Sequence, residues 1–234
     1  MAVDTVNAAP WRRLLFALNA LVAWSGLALS FTLTVLGTYP SQNTDPTMLG
    51  NPDQGAIGRI LDFFTYFTIW SNIIVAIVMT MLAINPTRNT FWFRVVRLDA
   101  LLMITVTGII YNAILAASAK NEGLEVISNF LEHVATPALT FAIWLVAGPR
   151  GWINWRTIWA ALIIPVVWLV WALARGAVID AYPYGFLNVA AYGYPTVLLN
   201  VLYIIIMAII LCLIFWGLDW VVRKMVPEKQ TEAA

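Results

Sequence analysis

The sequence predicts an all-α integral membrane protein: a six-transmembrane-helix bundle, one domain over residues 1–234, with both termini cytoplasmic. Three observations lead there. Apolar residues make up 62% of the 234 and charged residues only 11%, against roughly 25% charged in soluble domains. Thirteen basic and twelve acidic side chains are too few to cover a water-soluble globule of this length. Six apolar stretches are each long enough to cross a hydrocarbon layer of about 30 Å. Runs such as NIIVAIVMTMLAI and VLYIIIMAIILCLIFW are continuously apolar instead of alternating, so the spans are helices and not strands of a barrel.

The first span, 14–36, follows Trp11-Arg12-Arg13. It is too long for the apolar region of a signal peptide and has no small-x-small cleavage site after it, so it is read as a retained span. The second, 57–84, stops at NPTRNT, and the third covers 95–118. The fourth, 126–147, stops at AGPRGW; the fifth covers 155–174 and the sixth 196–222. Two connections, YPSQNTDPTMLGNPDQG and RGAVIDAYPYGFLNVAAYGYP, are long enough to hold structure outside the membrane, and their Pro, Gly and Asn content marks them as loops. The tail 228–234 is the one stretch of low complexity.

Charge placement sets the orientation. With six spans, Arg12, Arg13, Arg88, Arg94, Arg97, Arg150, Arg156, Arg223, Lys224 and Lys229 fall on the side of the termini. Only Arg59, Lys120 and Arg175 fall on the other. The positive-inside bias therefore puts both termini in the cytoplasm of a multi-pass plasma-membrane protein. Trp11, Trp92, Trp152, Trp155, Trp216 and Trp220 lie near the same boundary, as an anchoring aromatic belt does. A net charge of +1 without a basic block gives no footprint for nucleic acid. One Cys (Cys212) and one His (His133) leave no intrachain disulfide and no multi-Cys or multi-His metal centre. No metal or other cofactor is expected, and the oligomeric state is left open.

Polar side chains inside the spans carry the functional signal, because each is costly in lipid without a partner or a water-filled cavity. In the second span Leu61, Thr65, Thr68 and Asn72 follow a 4-3-4 spacing on one helical face, with Asp62 and Ser71 at its edges. In the fourth, Asn129, His133, Thr136 and Thr140 repeat that spacing, with Glu132 beside them. Asn112 lies in the third span, and Thr196, Asn200 and Tyr203 form a shorter stripe on the sixth. Thr68 and His133 each lie about 11 residues from the non-cytoplasmic start of their spans, roughly 16 Å deep. A hydroxyl and an imidazole therefore meet at one level in the outer half of the bundle if the second and fourth helices touch.

A hydroxyl becomes a good nucleophile when a base takes its proton, and His is the side chain suited to that near neutral pH. His133 is the only base of that kind; Thr68 is its candidate nucleophile, with Ser71, Thr65 and Ser128 as rivals. Asn72 and Asn112 are the amides placed to stabilise an oxyanion. Asn129, one turn before His133, is placed to fix the imidazole tautomer, while adjacent Glu132 points about 100° away. Thr136 and Asn200 extend the pocket lining, and Asp180 and Tyr182 are candidates for a lid. The ordinary roles of such residues are also at hand: back-bonding for an intramembrane Thr, interhelical packing for Asn, and a kink for Pro137.

Three patches, F-T-I-W-S-N (67–72), E-H-V-A-T-P (132–137) and A-Y-P-Y-G-F (181–186), occur in an order that resembles the androgen-induced membrane protein family. The resemblance covers the order of all six spans, and this chain looks like a bacterial branch. It implies a six-span hydrolase of fatty acid esters of hydroxy fatty acids, with the family's catalytic Thr at Thr68, its His at His133 and its loop Tyr-Pro at Tyr182-Pro183. The chain departs from the animal pattern in having Glu132 and Val134 around the His, where that pattern has Asn and Gly. It also has Ser71-Asn72 where the pattern has an acidic residue after the Thr.

Two functions follow as expectations. One is an intramembrane hydrolase of carboxylic esters that takes its lipid substrate from the outer leaflet. The other is a transporter, channel or lipid-binding protein with His133 as proton carrier or sensor. The first is favoured because no two spans are interrupted in matching positions and the cytoplasmic halves look almost free of polar residues. H-E-x-x-H and G-x-S-x-G are both absent.

Overall fold

A computed structural model describes residues 10–38, 45–50 and 55–225. The tail 228–234, Lys229 and parts of the first connection lie outside the described residues. Six helical stretches are long and apolar enough to cross a membrane: Pro10–Leu36, Phe67–Ile84, Phe91–Leu115, Leu124–Ala147, Trp155–Ile179 and Val189–Met225. Among the described residues there is no strand, only an isolated bridge between Met48 and Tyr182.

Three of these stretches are subdivided, the sixth is kinked at Gly193 (φ 72°), and a short helix precedes the second. The elements are α1 (Pro10–Leu36), α2 (Ala56–Phe63), α3 (Phe67–Ile84), α4 (Phe91–Ile110), α5 (Leu124–Phe130), α6 (Thr136–Ala147), α7 (Trp155–Ala161), α8 (Ile163–Ile179) and α9 (Val189–Met225). One π turn, Tyr111–Leu115, continues α4, and a second, Leu131–Ala135, joins α5 to α6.

α4 is the central helix. Almost every side chain from Val95 to Thr107 is buried. One apolar cluster joins α4 to α1, α3 and α6 through Ala20, Ala23, Val75, Val78, Ile104 and Ile143. A second joins it to α6, α7 and α9 through Leu98, Leu102, Trp144, Ile158 and Phe215. The outer faces of α8 and α9 expose Val166, Val167, Val170, Leu198 and Leu202, an apolar surface of the kind lipid covers.

The predicted second span, 57–84, is not one helix. It breaks at residues 64–66, where Tyr66 adopts extended backbone and caps α3. The carbonyls released there are taken by indoles: Trp70 Nε1 donates to Phe64 O at 2.8 Å and Trp168 Nε1 to Thr65 O at 3.0 Å. The run F-F-T-Y-F-T is aromatic and β-branched, a composition of low helix propensity. Leu61 and Thr65 therefore do not share a helical face with Thr68 and Asn72. Asp62, on α2, instead pairs with Arg175 of α8 at 2.5 Å, and Arg175 Nη1 also donates to Thr65 Oγ1. Arg175, expected in a loop, lies inside α8, which continues to Ile179.

The fourth-span stripe is also split. Leu131–Ala135 is wound as a π turn, and the residues around it face different neighbours. Glu132 and Thr140 face α1, where Ser30 Oγ donates to Glu132 Oε1 at 2.5 Å and Asn19 Nδ2 donates to Thr140 Oγ1 at 2.9 Å. Gly26 makes this approach possible, since a Cβ there would stand 3.1 Å from Glu132 Cγ. His133 faces α3.

Nor are the inner halves at the basic end free of polar groups. Arg97, Asp99 and Asp219 are all buried there.

Candidate functional site

The break before α3 places Thr68 in that helix's first turn, where its backbone N–H has no intrahelical acceptor. That N–H donates to Tyr184 Oη at 3.3 Å. The Thr68 side chain is 8% exposed, and its Oγ1 stands 3.1 Å from His133 Nε2. The second and fourth spans thus do touch at this pair. The counting that put the two at one level ran through a helix break, since Thr68 is the second residue of α3.

The tautomer of His133 follows from its other nitrogen. Nδ1 lies 3.1 Å from the backbone carbonyl of Asn129, which can only accept, so Nδ1 carries the proton. Nε2 of the neutral ring is then the acceptor, and the Thr68 hydroxyl donates to it. Tyr111 stacks on the imidazole, with ring centroids 4.0 Å apart and 29° between planes. The Tyr111 hydroxyl accepts a hydrogen bond from Asn129 Nδ2. The imidazole is thereby fixed in position from its face and from its Nδ1 edge.

The π turn supplies carbonyls for this arrangement, because widening the backbone ladder leaves acceptors open to side chains. Asn72 Nδ2 donates to Glu132 O at 3.2 Å and to Thr68 O at 2.9 Å. Asn112 Nδ2 donates to His133 O at 3.2 Å and to Gly108 O at 2.8 Å. Pro137, four residues after His133, has no N–H to offer that His133 carbonyl, and Asn112 takes its place. Gly108 lets the proline approach: a Cβ at Gly108 would lie 2.9 Å from Pro137 Cβ.

Several sequence assignments change accordingly. Asn72 and Asn112 spend both amide hydrogens on carbonyls, so they hold the backbone and are not free oxyanion donors. Asn129 orients the imidazole through its carbonyl and not its side chain. Ser71 sits behind Thr68, bonded to Thr68 O and to Thr107 Oγ1 at 2.9 Å. Ser128 bonds back to Glu125 O. Thr65 belongs to the Asp62–Arg175 cluster, Thr136 is buried with Oγ1 unpartnered among the described residues, and Glu132 faces α1. Asn200 supports the loop by donating to Phe186 O.

Of the loop residues named as lid candidates, neither Asp180 nor Tyr182 reaches Thr68. Asp180 is exposed at the end of α8, with φ of 52°. Tyr182 pairs through its backbone with Thr47 and Leu49, and its ring fills the space over Gly176, where a Cβ would come within 2.2 Å. Tyr184, two residues on, reaches the site, with Oη 3.5 Å from Thr68 Oγ1. Burial pushes the Tyr184 phenol above its ordinary pKa, against the hydrogen bonds from Thr68, so it stays a donor at neutral pH. Its motif A-Y-P-Y-G-F was visible in the sequence, but nothing there separated the two tyrosines. Tyr111 gave no signal beyond lying next to Asn112.

Beside Thr68 and His133 opens a cleft enclosing about 430 Å³ of empty space, part of it open to the outside. Its walls are largely apolar, with Phe67 packed edge-on against Trp168 at 4.7 Å and Val106, Ile110, Phe186 and Ile204 completing them. Polar groups converge on it only at Thr68, Thr107, His133, Tyr111 and Tyr184. No cluster of three or more His, Cys, Asp or Glu residues able to hold a metal occurs among the described residues.

No protein-family model matches the chain, and no curated protein or solved structure does.

Proposed function

We propose that the chain is an intramembrane hydrolase of carboxylic esters that acts on lipid-borne fatty acid esters, with Thr68 as nucleophile and His133 as general base. The observation that carries this reading is the Thr68 Oγ1–His133 Nε2 contact of 3.1 Å, with the Nδ1 proton committed to the Asn129 carbonyl. That combination is what an activated hydroxyl requires: a neutral base whose free lone pair faces the nucleophile.

The reaction runs in two halves. Thr68 Oγ1 attacks the ester carbonyl carbon while its proton passes to His133 Nε2. The carbonyl oxygen takes up negative charge, and the Tyr184 hydroxyl and the N-terminal end of α3 face that charge. The tetrahedral species collapses, the alcohol leaves with the proton from His133, and the acyl group stays on Thr68. Water then attacks the acyl-enzyme with His133 again taking a proton, and the fatty acid and free Thr68 are released.

The apolar cleft favours an acyl chain as the group held beside the nucleophile. The sequence resemblance to six-span Thr/His lipases of hydroxy fatty acid esters points to the same substrate class. The excess of basic residues toward the opposite end of the spans supports a site in the non-cytoplasmic half of the plasma membrane. A transporter or channel reading, with His133 as proton carrier, has no comparable support, because the imidazole is engaged on both nitrogens and on one face.

The test is hydrolysis of a fluorogenic long-chain ester by purified protein in detergent. Wild type is expected to turn it over; Thr68→Ala and His133→Ala are expected to lose at least about 10³-fold in kcat while still showing a cooperative unfolding transition. Full activity in either variant contradicts the assignment.

A further inference from the structure

We propose that a second cavity, at the other end of α4, binds a phosphate group, presented either by an anionic phospholipid headgroup or as free phosphate. This cavity is a recess of about 320 Å³, part of it open to the outside, lined in part by Arg94, Arg97, Trp144, Trp152 and Asp219. Arg97 and the cleft-lining Ile110 are 13 positions apart on α4, so the two sites lie roughly 20 Å apart along its axis.

Arg97 is the reason to expect a ligand. It is 7% exposed, its guanidinium stacks 4.5 Å from the Trp152 ring centroid, and its buried Nη1 has no hydrogen-bond partner among the described residues. A guanidinium stays charged, and burying one without a paired anion is costly. Room has been made for it: a Cβ at Gly148 would stand 2.7 Å from Arg97 Nη2.

The surrounding charges do not neutralise it. Arg94 faces the same cavity and spends Nε on Asn89 Oδ1. Asp219 is the one carboxylate in the lining, and it is already engaged by the Gly151 N–H at 2.7 Å and by Arg150 at 3.9 Å. Arg150 Nη1 is likewise buried without a hydrogen bond among the described residues. Asp99 is two positions beyond Arg97, about 200° around the helix, and faces elsewhere. The lining itself holds two guanidiniums, Arg94 and Arg97, against one carboxylate that is shared with Arg150 outside it, so positive charge is in surplus among the described residues. Forked N–H donors around a cavity suit an oxyanion with several acceptor oxygens, and phosphate is such a group. Trp152 and Ile153 of the lining lie just before Trp155 in sequence, whose exposed indole packs on Trp216 as interfacial indoles do, a setting that suits a lipid headgroup.

Thermal unfolding of the full chain in detergent tests this with four additions: phosphatidylglycerol, phosphatidylcholine, sodium phosphate, and sodium chloride matched in ionic strength. A saturable rise in Tm is expected with phosphatidylglycerol if the lipid is the source, or with sodium phosphate if the aqueous anion is. None is expected with phosphatidylcholine or chloride. Arg97→Lys, which keeps the charge but loses the fork, is expected to weaken the apparent affinity about tenfold, and Arg97→Gln to abolish the shift. Should Arg97→Gln fail to fold, Arg94→Gln, at a half-buried position, is expected to weaken it by about threefold or more. No shift with either phosphate source overturns the proposal, as does an equal shift with phosphatidylcholine, an unchanged shift in Arg97→Gln or, where that variant does not fold, an unchanged shift in Arg94→Gln.

Discussion

His133 has one nitrogen on a carbonyl and the other on a hydroxyl, and that asymmetry defines the chemistry at the scale of single residues. Tyr184 completes it. Its hydroxyl accepts from the Thr68 N–H and stands 3.5 Å from Thr68 Oγ1, close to where charge develops when Thr68 attacks. Tyr184→Phe removes that donor while keeping the ring that stacks on Phe186 at 5.2 Å. Steady-state kinetics with the fluorogenic ester are expected to show kcat reduced by roughly 10²–10³-fold with little change in KM. A rise in KM alone would make Tyr184 a binding residue instead. Thr68 and His133 could be read from the sequence because a lone imidazole within a span has few bland explanations and polar neighbours are scarce. The Asn129 carbonyl could not, because a backbone acceptor carries no residue signature. Its availability depends on how the local helix is wound.

That winding belongs to the elements. Two π turns, Tyr111–Leu115 and Leu131–Ala135, meet beside the site: Tyr111 of the first stacks on His133 of the second, Asn112 donates to the His133 carbonyl, and Asn129, just before the second, donates to the Tyr111 hydroxyl. Pro137 and Gly108 fix how closely the two helices approach. A methyl group at Gly108 meets the Pro137 ring at 2.9 Å, and a proline ring in a packed helix cannot swing aside. Gly108→Ala is therefore expected to destabilise the protein by about 1–3 kcal/mol and to lower ester hydrolysis, as seen by thermal unfolding and rate assays. Gly217→Ala, inside α9 and meeting nothing within 4 Å, serves as the control and is expected to keep or slightly raise the unfolding temperature. At this scale the sequence was legible where the pattern was long: the six apolar stretches and their order are those of the structure. It misled where a break carries no Gly or Pro, as at residues 64–66, and where a π turn shifts a polar stripe between neighbours. The helical period assumed in sequence reading has no way to register either.

Across the whole molecule, α4 runs between two sites of opposite character. At one end is an apolar cleft with a hydroxyl and a base; at the other is a cavity with surplus guanidinium charge. The first end is held together by contacts between distant segments: Asp62 with Arg175, and the 180–188 loop with Thr47 and Leu49. These contacts bring Tyr184 over Thr68, residues 116 positions apart in the chain. The scarcity of ionisable groups, plain in the composition, leaves one base in this bundle able to activate a hydroxyl at neutral pH. The central claim is that Thr68 is the hydroxyl it activates. Reacting the purified protein with a fluorophosphonate, in which the nucleophile's oxygen displaces fluoride from phosphorus, and mapping the adduct by peptide mass spectrometry tests it most directly. The phosphonyl mass is predicted on Thr68 and absent in His133→Ala. An adduct on Ser71 or Tyr184, or undiminished labelling of Thr68→Ala, would contradict the account.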